Sequence, residues 1–253
     1  MDFTVKKYKE LLQFLVQQRI QVISLDEYFL SRYDKTQRYL ILRHDIDRKL
    51  RNSVRFAQIC SDFGISASFM VRKKYFKYFK SLEQLSVNCF MGYHYEDYTK
   101  AKKNRQIALK MFFTHIKQLA QITKQRILSV AAHGNPLSRI NEKELFTLIT
   151  APKIKDSYLS IIDPVYYFTD TGRTWADDNK TNFYDCGIFV ALRKEFNVKT
   201  TKELMDFILN TQENLYFTIH PERWNDFGSG WLLQYCKDSL FNIIKRIIRK
   251  IKK

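Results

Sequence analysis

Tyr39-Leu40-Ile41-Leu42-Arg43-His44-Asp45-Ile46-Asp47 is a short apolar run that ends abruptly in two carboxylates, the pattern of a β-strand carrying a site at its C-terminal end. Alternate side chains of a strand share a face, so Asp45 and Asp47 point the same way if the extended geometry persists that far. Two carboxylates a few ångströms apart repel, and a metal, a proton or solvent must offset the charge. One of the pair could hold a cation while the other takes a proton. The bland alternative is a loop start in which Asp caps the following helix.

Outward from this stretch, strands and helices alternate. Upstream, Tyr8, Leu11, Leu12, Leu15 and Val16 recur at helical spacing within an N-terminal helix over 4–19, and Gln21 to Leu25 reads as a short strand. Downstream, Val54 to Phe63 is a helix ended by Gly64, and Ile65 to Val71 is rich in β-formers. Phe90-Met91-Gly92-Tyr93-His94-Tyr95-Glu96-Asp97 places a second polar cluster before a helix from about Ala101 to Ile122. The strand Arg126 to Ala132 ends in His133-Gly134-Asn135-Pro136 and precedes a helix over Asn141 to Ile149. Further strands are expected at Tyr158 to Ile162, Val165 to Phe168, Gly187 to Leu192 and Leu215 to Ile219, with a helix at Thr201 to Leu209. The last strand runs into His220-Pro221-Glu222-Arg223-Trp224, and a basic helix closes the chain over 231–253.

Four strand ends thus carry Asp45 with Asp47, His94, His133 and His220, whereas His115 falls on an apolar helix face and is assigned to the core. Alternating strands and helices imply a parallel sheet, and polar groups at the carboxyl ends of its strands converge on one face. Aspartate and histidine ligands suit zinc or another divalent transition metal.

The 253 residues, 45% hydrophobic, are enough for one large domain with the size of an α/β barrel. Lys and Arg outnumber Asp and Glu by 43 to 26, a net charge of +17, which favours an acidic partner such as anionic lipid, an acidic glycan or nucleic acid. No recognised nucleic-acid motif accompanies the charge. Cys60, Cys89, Cys186 and Cys236 are scattered without a CxxC, which points away from a zinc knuckle or disulfide framework and fits a reducing compartment. Lys6, Lys7, Lys9 and Glu10 interrupt what would have to be an unbroken apolar signal peptide, and no segment has the length and apolarity to cross a bilayer.

These residues resemble the polysaccharide deacetylases, metal-dependent enzymes that remove acetyl groups from N-acetylated sugars on a distorted (β/α) barrel with mainly parallel strands. Leu42-Arg43-His44-Asp45-Ile46-Asp47 looks like the Asp-x-Asp form of the family's first motif, which implies Asp45 as general base and Asp47 as metal ligand. Gly92-Tyr93-His94 resembles the second motif, whose first histidine binds the metal; its usual second histidine is Tyr98 here. Glu96, Asp97 or His133 must then supply the third ligand, and His133 is preferred because it too ends a strand. His133-Gly134-Asn135-Pro136 takes the place of the third motif but lacks its arginine. Asp170 and Trp175 resemble the motif that walls the substrate site, and Leu215 to Pro221 resembles the last motif, whose histidine, His220 here, acts as general acid.

The resemblance implies hydrolysis of an N-acetyl group with a divalent metal such as zinc, Trp175 and Trp224 offering apolar faces to a sugar ring. The departures at Tyr98 and at the missing arginine also fit a catalytically inactive relative that binds glycan, and the charge alone a phosphate- or nucleic-acid-binding protein. The expected location is the cytoplasm. The apolar stripe of the last helix is expected to close the barrel as far as about Ile244, leaving the six basic residues between Lys245 and Lys253 to rest on the anionic inner face of a membrane.

Overall fold

The computed structural model describes residues 1–134, 140–151, 153–177 and 197–251. In chain order its elements are α1 (Val5–Gln17), β1 (Gln21–Ile23), α2 (Leu25–Phe29), β2 (Tyr39–Ile46), α3 (Leu50–Asp62), β3 (Ser68–Val71), α4 (Phe79–Ser86), β4 (Phe90–Tyr95), α5 (Asp97–Lys100) and α6 (Arg105–Thr123). There follow β5 (Ser129–Ala132), α7 (Lys143–Phe146), β6 (Lys155–Asp156), β7 (Val165–Thr169), β8 (Ala176–Asp177), β9 (Asn197–Val198), α8 (Thr201–Leu209), β10 (Asn214–Ile219) and α9 (Ser229–Ile251). The strand expected at Gly187 to Leu192 lies outside the described residues.

The main sheet runs β6-β5-β4-β3-β2-β10-β7, every pairing parallel, with β1 paired to β2 as well. This is the expected distorted α/β barrel of mainly parallel strands. All eight residues of β2 are buried, as befits a central parallel strand covered on both faces. The pleat divides them. Leu40, Leu42 and Ile46 pack outward with α1 and α3, while Tyr39 and Ile41 pack inward with Met70, Ala131, Val165 and Tyr216.

The sheet curls until its edge strands, β6 and β7, meet through side chains instead of backbone. Tyr158, just after β6, reaches Tyr167 of β7 with an Oη–Oη separation of 3.0 Å, and Tyr216 Oη donates to the Ser157 carbonyl at 3.1 Å. The segment Tyr158 to Ile162, expected as a strand, is a turn, because the Asp156 carboxylate accepts the backbone N–H groups of Tyr158 (2.8 Å) and Leu159 (3.0 Å) and bends the chain there. The helix expected over Asn141 to Ile149 shrinks to the single turn α7.

On the outer face, α1 is capped by Thr4, whose side chain accepts Lys7 N–H, and buries Tyr8, Leu11, Leu12 and Leu15 at helical spacing. Serine and threonine capping boxes start α2 (Ser24 with Glu27) and α8 (Thr200 with Glu203). Gly92 on the inner side of β4 has no room for a side chain, since a Cβ would stand 2.9 Å from the Ser129 carbonyl oxygen. The last helix departs from expectation: Leu232, Leu233, Cys236 and Leu240 are exposed, whereas Trp231, Gln234 and Asp238 face the domain. No helix among the described residues is long and apolar enough to cross a membrane.

Candidate active site

Strand parity brings the site together. On β2 the inward positions after Ile41 are Arg43 and Asp45, with Asp47 one step beyond the strand; on β4 the inward residue is His94, and beyond β5 it is His133. Register places these ends side by side, His94 pairing with Ala131 and Asp45 with Met70.

Asp47, His94 and His133 present ligand atoms that all lie within 4.8 Å of one another. Asp47 Oδ1 is 3.5 Å from His94 Nε2 and 3.4 Å from His133 Nε2. It is buried without a hydrogen-bond partner among the described residues. His94 Nδ1–H donates to the Ala131 carbonyl at 3.0 Å, which fixes the tautomer and leaves the Nε2 lone pair facing Asp47. Burial works to raise the Asp47 carboxyl, but the contact with His94 outweighs it and holds the carboxyl well below its usual range. Burial lowers His133 to about 4, so its imidazole is neutral and able to ligate. A buried orphan carboxylate oxygen facing two imidazole nitrogens is a donor set that fits a divalent cation.

Of the other ligands considered, Glu96 stands beside the cluster, its Oε2 3.8 Å from His133 Nδ1 and 2.8 Å from Arg72 Nη2. Asp97 is on the outer side, accepting Tyr93 Oη (2.7 Å) and pairing with His115 Nδ1 (2.7 Å), so it is removed from the cluster. The pair with Asp97 also gives His115 a polar partner within its otherwise apolar surroundings.

Asp45 is gripped by Arg43. The Arg43 Nε and Nη2 groups donate to its two oxygens at 2.7 and 2.6 Å, both residues being buried, and Nη1 donates to Ser157 Oγ at 2.9 Å. Burial pushes the Asp45 carboxyl up, yet the Arg43 charge more than offsets this and holds it below the usual carboxylate value. His94 Nε2 lies 3.6 Å away. Arg43 is a residue that motif reading missed, although its parity with Asp45 was visible in the strand.

His220 ends β10, facing the same end of the barrel. Its Nδ1–H donates to Asp170 Oδ1 at 2.6 Å, while Asp170 Oδ2 accepts the His220 backbone N–H (2.9 Å) and Trp224 Nε1–H (2.7 Å). Burial would depress His220, but the Asp170 charge and hydrogen bond raise it to about 9. Asp170 therefore orients His220 and, fully buried, offers nothing to a substrate. Trp175 and Trp224 are also fully buried: Trp175 packs on Phe3, Phe217 and Trp224 and donates Nε1–H to Thr201 Oγ1 (3.1 Å). Neither indole presents a face to a sugar ring, which corrects the expectation for all three residues.

Glu222, two residues after His220, went unnoticed in the sequence. Its carboxylate is buried with neither oxygen hydrogen-bonded among the described residues, and burial, then the Asp47 charge, raise it to about 7. Arg48 Nε approaches to 4.0 Å.

The chain matches no protein-family model and no curated protein. Among solved structures it is similar, at low identity, to a peptidoglycan deacetylase and to a family 4 carbohydrate esterase. The peptidoglycan deacetylase PdaC from Bacillus subtilis is 16% identical, with 86% of this chain and 99% of that chain covered and a TM-score of 0.41. A family 4 carbohydrate esterase from Bacillus anthracis is 13% identical over 96% of this chain and 89% of that one, TM-score 0.42. BA3943, a CE4 family pseudoenzyme from Bacillus anthracis, is 11% identical over 84% and 62%, TM-score 0.44.

Proposed function

We propose that the protein is a metal-dependent hydrolase that removes acetyl groups from an N-acetylated sugar or glycan, one barrel domain serving as its frame. The observation that carries this reading is the convergence of Asp47, His94 and His133, with a fixed His94 tautomer and an orphan Asp47 oxygen, beside Asp45, while His220 follows the strand next to β2. Those three residues would hold a divalent ion, zinc being the ion that best suits one carboxylate and two imidazoles. The ion, when bound, supplies Lewis-acid polarisation of the amide carbonyl and of the attacking water.

The chain's own groups move the protons. Asp45, kept ionised by Arg43, retains lone pairs on both oxygens beyond those used by the guanidinium and takes a proton from water. His220, held through Nδ1 by Asp170, carries its mobile proton on Nε2 and delivers it to the departing amine, which leaves poorly unless protonated. The +17 charge and the basic residues between Lys245 and Lys253 support reversible, electrostatic contact with an anionic membrane face, and cysteines scattered without a CxxC fit a cytoplasmic location.

A second reading, an inactive glycan-binding relative, is favoured by one feature: both Asp45 oxygens already accept from Arg43. Release of acetate from N-acetylglucosamine oligomers, measured on the zinc-loaded protein and on Asp45→Asn and His220→Ala, separates the two. Losses of about 100-fold to 10,000-fold in the variants are expected. Absence of hydrolysis by the loaded wild type, with oligomer binding retained, would establish the inactive relative.

A further inference from the structure

The last helix turns a polar side to the barrel and an apolar side to solvent. Asp238 accepts Arg223 Nη1 at 3.3 Å and stands 3.6 Å from Arg173 Nη1, Gln234 Nε2 donates to it at 3.1 Å, and Trp231 Nε1 donates to the Asp2 carbonyl at 3.0 Å. These contacts fix the rotation of α9. Leu232, Leu233 and Leu240 are left 57%, 59% and 59% exposed, and Phe227 just before the helix is 69% exposed. Single exposed apolar residues are ordinary, but several grouped on one helix mark an interaction face.

The charge of the chain selects the occupant. A second copy on this face would bring together two chains that each carry +17, and that charge opposes the association. An anionic bilayer surface complements that charge and takes the leucines into its headgroup boundary, the behaviour of a helix with an apolar face flanked by Lys and Arg. In sequence the stripe continues past Leu240 at the same spacing with Ile243, Ile244 and Ile247.

We infer that α9 is a lipid-docking helix that lies in the plane of an anionic membrane surface with Leu232, Leu233 and Leu240 inserted. This rests on the membrane contact proposed above and changes its nature, from attraction by the basic end alone to insertion along the helix. Because Asp238 ties the helix to Arg223, three residues from His220, docking also sets the catalytic end of the barrel in a fixed relation to the lipid surface.

The test uses the full chain, the triple variant Leu232→Ser with Leu233→Ser and Leu240→Ser, and a charge variant, Arg246→Gln with Arg249→Gln and Lys250→Gln. Each is sedimented with phosphatidylglycerol-containing vesicles and with pure phosphatidylcholine vesicles, at low and high salt. The wild type is expected to pellet with the anionic vesicles and to retain part of that binding at high salt. The triple variant, unchanged in melting temperature because its sites are exposed, is expected to lose at least about tenfold in binding. Wild-type pelleting by the triple variant, with loss confined to the charge variant, would overturn insertion and leave the electrostatic contact standing. Failure of the wild type to pellet at all would overturn both, and self-association of the wild type relieved in the triple variant would give the face to a second copy.

Discussion

Arg43 and Asp45 lie two residues apart on β2, face the same side, and form a two-pronged ion pair of 2.6 and 2.7 Å inside the barrel. Neither charge reaches solvent, so each depends on the other. Replacing Arg43 with Met strands a buried carboxylate and is expected to cost on the order of 3–5 kcal/mol in unfolding free energy. Combining Arg43→Met with Asp45→Asn removes the stranded charge and should recover most of that loss, because a pair replaced together leaves nothing uncompensated. Arg43→Lys cannot reproduce the fork and should fall between. Urea unfolding of these four proteins and of Asp45→Asn alone checks this; additive losses in the double variant would show that the pair is not coupled.

The cluster of Asp47, His94 and His133 predicts a stoichiometric divalent metal whose retention needs all three. Asp47→Ala, His94→Ala and His133→Ala should each lower occupancy at least about tenfold, since ligands act as a set. Elemental analysis after dialysis measures it. Full occupancy in Asp47→Ala would remove the metal from this site, whereas occupancy lost in every variant except His133→Ala would move the third ligand to Glu96.

Asp26, beneath the barrel at the start of α2, tests the opposite sign of electrostatics. Burial raises it to about 6 despite the hydrogen bond from Ser129 Oγ at 2.9 Å. A carboxyl raised on folding favours the protonated native state, so stability declines as pH rises from about 4 through about 6. Asp26→Asn keeps an acceptor for Ser129 and carries no charge. It should be more stable than wild type at pH 7 by an amount on the order of 2–3 kcal/mol, with the advantage vanishing below about pH 4. Melting curves across that range decide it, and a variant less stable at neutral pH would mean the ionised form is accommodated.

The parallel sheet and the metal-ligand candidates were legible because the chain alternates strands with helices and its apolar strands end in polar residues at their carboxyl ends. His94 and His133 were found that way, and Asp97 could have been set aside because it shares the outward parity of Tyr93 and Tyr95, opposite to His94. Arg43 was legible in principle, since an arginine inside an apolar strand needs a partner and Asp45 is its nearest neighbour on that face. Trp175 misled because an aromatic in a polar loop reads as exposed, while the groups that bury it, Phe3 and Phe217, are far away in sequence. The outward leucines of α9 were missed for a related reason: helical spacing shows that a stripe exists but not which way it turns, and here Asp238, through Arg223 and Arg173, decides.

Asp170 and His220 carry the pH dependence at the other side of the site. The imidazole, raised from an ordinary 6.5 to about 9 by Asp170, is protonated in the folded protein where it would be neutral in the unfolded chain. Folding therefore gains from this pair fully below pH 6.5, and the gain is lost as pH rises through about 9, an amount on the order of 3 kcal/mol. Asp170→Asn removes the charge that raises His220. Its unfolding free energy should lie below that of wild type at pH 6 and converge on it above pH 9, and the His220 ring resonances should titrate below 7. If His220 is the general acid, the alkaline limb of acetate release should move to lower pH in the same variant, because the donor proton is shed earlier. An unshifted His220 titration in Asp170→Asn would assign the raised value to some other group and remove Asp170 from the proton path.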